Sequence, residues 1–406
     1  MKYANSLKYM NSFPKASSKG EISTKRALEL CMALGRVNIG MRSICLSGDS
    51  AGHAIAVMLE SVIKCSGHNL GRLTTVGGFD SRSSIFINGE IPPIEDYNLA
   101  VAELKSAVSK NPDLGYTKEE TTFALGLLMC KMSGCEYVIL EGMSGSEFSL
   151  DSICAPYDII VIPTIYDVEN IGDKMKSLYE IVKRGTREVI SGNQKSDIYN
   201  KISNACAISG VRLYIPVKAQ FEIQEITSRR VNFSYSGREG FLLKSPSYIL
   251  RDCAMTVIES ALALRRGGVK IPWSCIAAGL GCAADTMCFD MLALSPLILV
   301  DSSSNAEEAA LLLKTADETL GENTLRGVAV AIPEEAESVL KPFADKETSR
   351  ILTYSSTKND EDCFNSMKKL ACEIVKVWKS GIGVVCLGSA EFAITIKTEI
   401  LKIMNG

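Results

Sequence analysis

Two short stretches carry residue types and spacings that could do chemistry. The first is Gly48-Asp49-Ser50-Ala51-Gly52-His53-Ala54, between an apolar strand at Arg42–Ser47 and a helix running to about Ser66. A glycine-bearing turn between strand and helix presents backbone N–H groups at a helix N-terminus, where phosphate binds. The plainer alternative is a strand-to-helix turn with a glycine where the backbone needs one. The second is Val138-Ile139-Leu140-Glu141, an apolar strand ending in a carboxylate. Ligands of α/β sheets bind beyond the carboxyl ends of the strands, so Glu141 faces that crevice, or else is an ordinary acid near the surface. Arg229-Arg230 and Arg265-Arg266 could ligate phosphate, or be solvated surface charge. Histidine sets a limit. The chain has two, His53 and His68, so beyond residue 68 no step can use an imidazole as base, acid or ligand.

Composition bounds the classes of function. The chain has 406 residues, 46% hydrophobic and 22% charged, enough for two or three domains with large cores. A net charge of −3 carries no basic footprint for nucleic acid or an anionic membrane. The start, Met1-Lys2-Tyr3-Ala4-Asn5-Ser6, lacks the apolar run of a signal peptide. Ile159–Ile165 and Leu297–Val300 are apolar but only strand-length, so no membrane span is expected. The 14 cysteines are scattered in apolar patterns with no Cys-x-x-Cys pair. Cys130 and Cys135 come nearest to a cluster. Reduced, buried thiols in a cytoplasmic protein are the expectation.

The elements that must position these residues read as α/β throughout. In the last hundred or so residues, strands at Pro296–Asp301, Gly327–Ile332, Arg350–Ser355 and Ile382–Leu387 alternate with helices at Ala306–Leu320, Glu334–Phe343, Asp362–Trp378 and Glu391–Met404. Phe364, Met367, Leu370, Ala371, Ile374, Val375 and Trp378 make a 3.6-residue stripe. Such alternation predicts a parallel, doubly wound sheet. The first 295 residues are less regular. Helices are expected at Glu95–Ser109, Thr117–Met132, Asp173–Arg184, Ser196–Ser209, Ser247–Arg266 and Pro272–Leu280. Strands are expected at Glu136–Glu141 and Asp158–Ile165, with Ile85–Gly89 short and extended. Val231, Phe233 and Tyr235 alternate with polar residues, and Gly237 and Gly240 punctuate the stretch, so Gln220–Leu243 predicts antiparallel strands decorating the sheet. A boundary near Leu294-Ser295-Pro296 divides the chain.

The order of these pieces resembles the folylpolyglutamate synthase and dihydrofolate synthase family of the Mur ligase superfamily. Leu7-Lys8-Tyr9-Met10 and Arg26–Gly35 look like its N-terminal helices. Gly48–Ala54 stands at its P-loop, and Ile87-Asn88-Gly89-Glu90-Ile91 resembles its I-N-G-x-x-I segment. Val138–Glu141 resembles the strand ending in a metal-binding glutamate. Leu299–Asn305 stands at D-G-A-H-N-P, and Val384–Ser389 resembles the closing strand-G-S-helix. The resemblance implies a Mur-ligase-like P-loop-type central domain over residues 1–294 and a Rossmann-like C-terminal, glutamate-ligase domain over 295–406. It implies Mg-ATP, with Gly48, Asp49, Ser50, Gly52 and His53 in a degenerate phosphate loop, Glu141 as metal ligand, and Asp301 and Asn305 as interdomain nucleotide contacts. It also implies amide ligation through an acyl phosphate, and a folate-like or other small carboxylate from one-carbon metabolism.

The departures are chemical. The phosphate-loop lysine position holds Gly52 and its Mg²⁺-binding serine position holds Ala54. Asp49 adds negative charge beside a phosphate site. Thr75–Phe79 lacks the family's histidine, Glu147 replaces an arginine, and Val168-Glu169 replace Asp-His, with Asp167 out of register. Thr286–Asp290 lacks the phosphate-binding arginine, and Ser304 takes a histidine position. Losing one preorganised charge-stabilising donor typically costs about 10²–10³ in rate. The expectation is a pseudoenzyme-like relative acting as a binding, regulatory or partner subunit. An active ATP-dependent ligase with rearranged residues, and a two-domain α/β protein binding a small anion or metabolite in its interdomain cleft, stay open.

Overall fold

The computed structural model describes residues 2–16, 21–47, 50–74, 81–142, 150–166, 171–183, 185–354 and 360–405. Three sheets organise it. The first has seven strands: β1 (Arg42–Leu46), β2 (Leu70–Thr74), β3 (Ile85–Ile87), β4 (Tyr137–Glu141), β5 (Tyr157–Ile162), β6 (Thr186–Ser191) and β7 (Arg212–Tyr214), in the order β3-β2-β4-β1-β5-β6-β7. All pairings are parallel except β2–β3. Its helices are α1 (Tyr3–Met10), α2 (Thr24–Ala33), α3 (Ser50–Cys65), α4 (Ile94–Val108), α5 (Lys118–Met132), α6 (Ile171–Lys183) and α7 (Ser196–Ile208). The second sheet is an antiparallel meander of β8 (Phe221–Thr227), β9 (Arg230–Tyr235) and β10 (Arg238–Leu243), followed by α8 (Tyr248–Arg266) and α9 (Trp273–Cys282). The third holds β11 (Asp290–Leu294), β12 (Leu297–Asp301), β13 (Ala329–Pro333), β14 (Arg350–Tyr354) and β15 (Val384–Leu387), with α10 (Ala306–Leu320), α11 (Asp360–Lys379) and α12 (Ala390–Asn405).

Strand alternation assigns the cores. In β1, Ile44 and Leu46 face α3 and α8, while Cys45 faces the α4–α5 side. In β4, Tyr137 and Ile139 take the α3 side and Val138 and Leu140 the other. The period of two therefore sends the next residue of the first set, Glu141, toward α3. Val231, Phe233, Tyr235, Phe241 and Leu243 join the same core as α3, α8 and α9. The antiparallel strands expected at Gln220–Leu243 thus form a separate sheet packed on this helical layer. They do not extend the main sheet.

The structure differs from the sequence reading elsewhere. Glu334–Lys346 winds as 3₁₀ turns rather than an α-helix, with Pro342 inside and Ala336 off helical φ/ψ. Proline removes a donor that a regular helix would use. β11 was not expected, and its antiparallel pairing with β12 begins the third sheet at Asp290. β2 carries no strand signal in the sequence, because Leu70-Gly71-Arg72-Leu73 breaks its apolar run with a glycine and a charge. The helix after β1 starts at Ser50, so Gly52 and His53 lie in its first turn and not in a loop. Buried Ala51, Ala54 and Ile55 seat that turn on the core.

One glycine shows how tightly α3 is held. A Cβ at Gly279 of α9 would lie 2.4 Å from Val62 Cα and 2.6 Å from Val62 N. That neighbour is backbone and cannot rotate aside. At Gly281 the nearest atom would be 3.7 Å away. Gly279→Ala should cost roughly 1–3 kcal/mol in urea unfolding, whereas Gly281→Ala should leave the midpoint unchanged or raise it. Equal effects would contradict the close packing of α3 on α9.

Candidate functional site

The site begins with β2 and β4 side by side. Leu70 of β2 packs in the α3-side core, so Arg72, two residues on, faces the same way. Arg72 pairs in register with Ile139, and Glu141 with Thr74. The guanidinium and the carboxylate are therefore diagonal neighbours under α3. Above them, His53 and Glu60 are seven residues apart on α3, two turns along one face.

All four side chains are buried, with 4% or less of each residue exposed. Arg72 Nε donates to Glu60 Oε2 at 2.7 Å, and Arg72 Nη1 to Glu141 Oε2 at 2.8 Å. His53 Nδ1 lies 2.9 Å from Glu141 Oε1, and its Nε2 lies 3.2 Å from the Asp285 carbonyl oxygen. Both ring nitrogens meet acceptors, and a ring N–H donates to the oxygen it faces. The guanidinium also lies 4.0 Å from the centre of the Phe86 ring, directly across the β2–β3 pair.

Electrostatics follow from this. Burial pushes the Glu141 pKa up, but His53 and Arg72 overcome it and hold the carboxyl down at about 2. Burial pulls Arg72 down, and Glu60 and Glu141 carry it above its ordinary value. Neither Glu60 nor Arg72 stood out in the sequence. The available signal was a lone acid in the apolar helix Ala54–Cys65 and a lone arginine in a strand, two charges that can be buried only together.

The structure treats the other expected residues differently. Gly48 and Asp49 lie outside the described residues, as does Asp167, and of Ser50 only its place at the start of α3 is described. Gly52 is helical, and a Cβ there would meet the Ser47 carbonyl oxygen at 3.3 Å. Asp301 is buried at the end of β12, where it accepts from Phe289 N at 2.6 Å, from Ser303 N at 2.9 Å and from the Ser303 hydroxyl. Burial outweighs these donors and raises its pKa to about 6. Asn305 caps α10, accepting from Glu308 N at 3.0 Å.

The connection before β11 ties these parts together. Asp285, Met287 and Phe289 have φ of 57°, 55° and 55°, a left-handed conformation that side chains other than glycine rarely take. Met287 and Phe289 enter opposite cores of the third sheet, and Cys288 enters the α3-side core. Ser302 N donates to Met287 O at 2.7 Å, and Ser245 Oγ to Cys288 O at 2.7 Å. Lys397 of α12 bonds Asp285 at 2.7 Å and also Asp290.

With this geometry in view, a divalent cation at Glu141 can be tested. Each Glu141 carboxylate oxygen already faces a nitrogen of the protein, Oε1 the His53 ring and Oε2 the Arg72 guanidinium. Among the described residues no group of three His, Cys, Asp or Glu side chains could hold a metal ion. The arrangement does not fit Mg²⁺ held through Glu141.

No family model matches the chain, and no curated protein matches it significantly by sequence. Solved structures do. A folylpolyglutamate synthase in complex with AMPPCP and folate matches with TM-score 0.80 and 18% identity, over 99% of this chain and 100% of that one. The apo enzyme from Lactobacillus casei matches at 0.79 and 18%, with the same coverage. The Mycobacterium tuberculosis enzyme complexed with ADP matches at 0.75 and 13%, over 98% and 99%. The fold is thus the two-part α/β fold of folylpolyglutamate synthases, over the whole chain. No helix among the described residues is long and apolar enough to cross a membrane.

Removing Arg72 strands two buried carboxylates, so Arg72→Met should cost about 3–5 kcal/mol in urea unfolding. Glu141 is depressed below the ordinary 4.5 to about 2. Its stabilisation is thus present above the ordinary value and lost as pH falls toward 2. Glu141→Gln should flatten the fall in stability below pH 4.5. A variant as acid-labile as the parent would contradict the pairing.

Proposed function

We propose that this protein is a folylpolyglutamate synthase-like member of the Mur ligase superfamily that has lost ligase catalysis and acts as a binding, regulatory or partner subunit. One observation carries the reading. The carboxylate in the position of the metal-binding glutamate is neutralised from inside the protein, by His53 and Arg72. Acyl-phosphate formation needs that charge left for Mg²⁺ and the phosphates, and here it is consumed by the fold.

The phosphate side supports the same reading. α3 starts at Ser50, and Gly52 and Ala54 stand where the family's lysine and serine would meet phosphate and metal. His53, in the first turn of α3, points at Glu141 and the Asp285 carbonyl. The neighbours' complexes with AMPPCP, ADP and folate support a folate-like or other small carboxylate as the ligand class. We assign the first sheet and the β8–β10 meander, with their helices, to the P-loop-type central domain and the third sheet to the Rossmann-like domain; the boundary expected at 294/295 falls between the paired strands β11 and β12, so the second part begins with β11. In this reading the protein is cytoplasmic, consistent with the absence of disulfides among its described cysteines, and nucleic acid and membrane are not partners.

An active amide ligase that adds glutamate or another amino acid to a carboxylate is the competing reading. Calorimetry with Mg-ATP separates the two. We expect no saturable binding at micromolar nucleotide, and no ADP or phosphate release with a folate and glutamate present. Micromolar binding together with such turnover would establish the ligase instead.

A further inference from the structure

Away from Glu141, at the far end of α3, three thiols converge. Cys65 is the last residue of α3, and Cys275 and Cys282 stand in the first turn and at the end of α9. The packing of the two helices brings them together. At Val62 and Gly279 the helices approach so closely that no side chain fits between them. Three residues further along each helix stand Cys65 and Cys282, whose side chains share a hydrogen bond. Cys275 reaches the same place from the start of α9, and its Sγ donates to the Cys65 carbonyl oxygen at 3.2 Å.

The accessibility of this group sets it apart. Most of the described cysteines are buried, including the neighbouring pair Cys130 and Cys135, whereas Cys65 and Cys282 are both exposed and Cys275 is partly so. Among the described residues no group of three His, Cys, Asp or Glu side chains could hold a metal ion, so the convergence is a dithiol and not a metal centre. The sulfur of Cys275 is directed at a carbonyl, which leaves Cys65 and Cys282 as the pair. A disulfide needs Cβ atoms about 3.5–4.5 Å apart. Both cysteines end their helices, where fraying lets the backbone adjust.

We propose that Cys65 and Cys282 are a modification site, a dithiol that a low-molecular-weight disulfide of the glutathione class converts to an intramolecular disulfide. The Cys282 thiolate attacks one sulfur of the small disulfide and expels a small thiolate, leaving a mixed disulfide on Cys282. Cys65 then loses its proton to solvent, attacks the Cys282 sulfur and expels the second small thiolate. The protein gives up two hydrogens and two electrons, and the small disulfide becomes two thiols. Burial, with the Cys282 and Cys275 thiols beside it, pushes the Cys65 thiol up, which suits Cys65 to the second step. In a reducing compartment such a bond is a reversible switch and not a permanent staple. Its effect follows from its place. Cys282 opens the connection to β11, and the Asp285 carbonyl in that connection already meets His53 in the first turn of α3. Oxidation therefore fastens the connection to both ends of α3. The proposal is independent of whether ligase activity remains.

The full chain, reduced and freed of reductant, is incubated with oxidised glutathione, alkylated, digested and analysed by mass spectrometry. The expected result is a loss of two hydrogen atoms, one cross-linked peptide pair joining Cys65 to Cys282, and reversal by dithiothreitol. The oxidised form should also unfold at higher urea than the reduced form. Cys282→Ser should abolish the link and Cys275→Ser should keep it. If a variant fails to fold, dibromobimane, which fluoresces on bridging two adjacent thiols, should join the same two residues in the unsubstituted protein. No reaction, a glutathione adduct that persists on Cys282 without the link, or a link through Cys275 would overturn the proposal.

Discussion

The Arg72 guanidinium sits in the core of the first sheet with a carboxylate on each side. Removing a guanidinium and two carboxylates from water carries a large desolvation cost, and only close mutual pairing offsets it. The distances of 2.7 and 2.8 Å to Glu60 and Glu141 supply that pairing, and His53 closes the far side of Glu141. The rest of the site is arranged around this balance. α3 must lie where His53 and Glu60 reach the sheet, and the close approach of Gly279 to Val62 holds it there. The Asp285 carbonyl must reach His53, which holds the left-handed connection before β11 against α3. Lys397 then fixes the same segment to α12. A charged cluster that would be a poor source of stability in itself thus becomes a source of register between the helix, the sheet and the C-terminal part.

The same interaction is the physical basis of the proposed loss of ligase chemistry. A strand-end carboxylate can serve a bound cation or a cation of the protein, and it cannot serve both at full strength. Here both Glu141 oxygens are engaged by side chains the protein carries itself. The His53 ring and the Arg72 guanidinium hold its carboxyl down, at about 2. Asp301 reaches a similar end by another route, since its acceptors are filled by Phe289 N, Ser303 N and the Ser303 hydroxyl. Both carboxylates in positions resembling functional ones hold backbone and side chains in place.

Much of the fold was legible in the sequence because it rests on periodicity. The alternation through α10, α11 and α12 needs only apolar stripes and turn residues, and the antiparallel signature of Val231, Phe233 and Tyr235 needs only period two. Glu334–Lys346 failed because an apolar stripe does not register that Pro342 removes a helical donor. β2 failed because its central residue is charged, and a strand rule reads Arg72 as a surface position. The site was half legible for the same reason. Glu141 and His53 were visible at the ends of their elements, but their partnership spans 88 positions and arises only from the β2-β4-β1 strand order. Glu60 and Arg72 are mid-element charges whose meaning depends on each other. The left-handed run at Asp285, Met287 and Phe289 had no signal at all, since none of the three is glycine.

The central claim is that Glu141 is partnered by the protein and not by a metal. A crystal structure determined after soaking in Mn²⁺ and a non-hydrolysable ATP analogue, with anomalous diffraction collected for manganese, tests it most directly. The account predicts no anomalous peak at Glu141, with His53 Nδ1 and Arg72 Nη1 still within hydrogen-bond distance of its two oxygens. A manganese peak at a coordination distance of roughly 2.0–2.6 Å from Glu141, with Arg72 or His53 turned away, would contradict it.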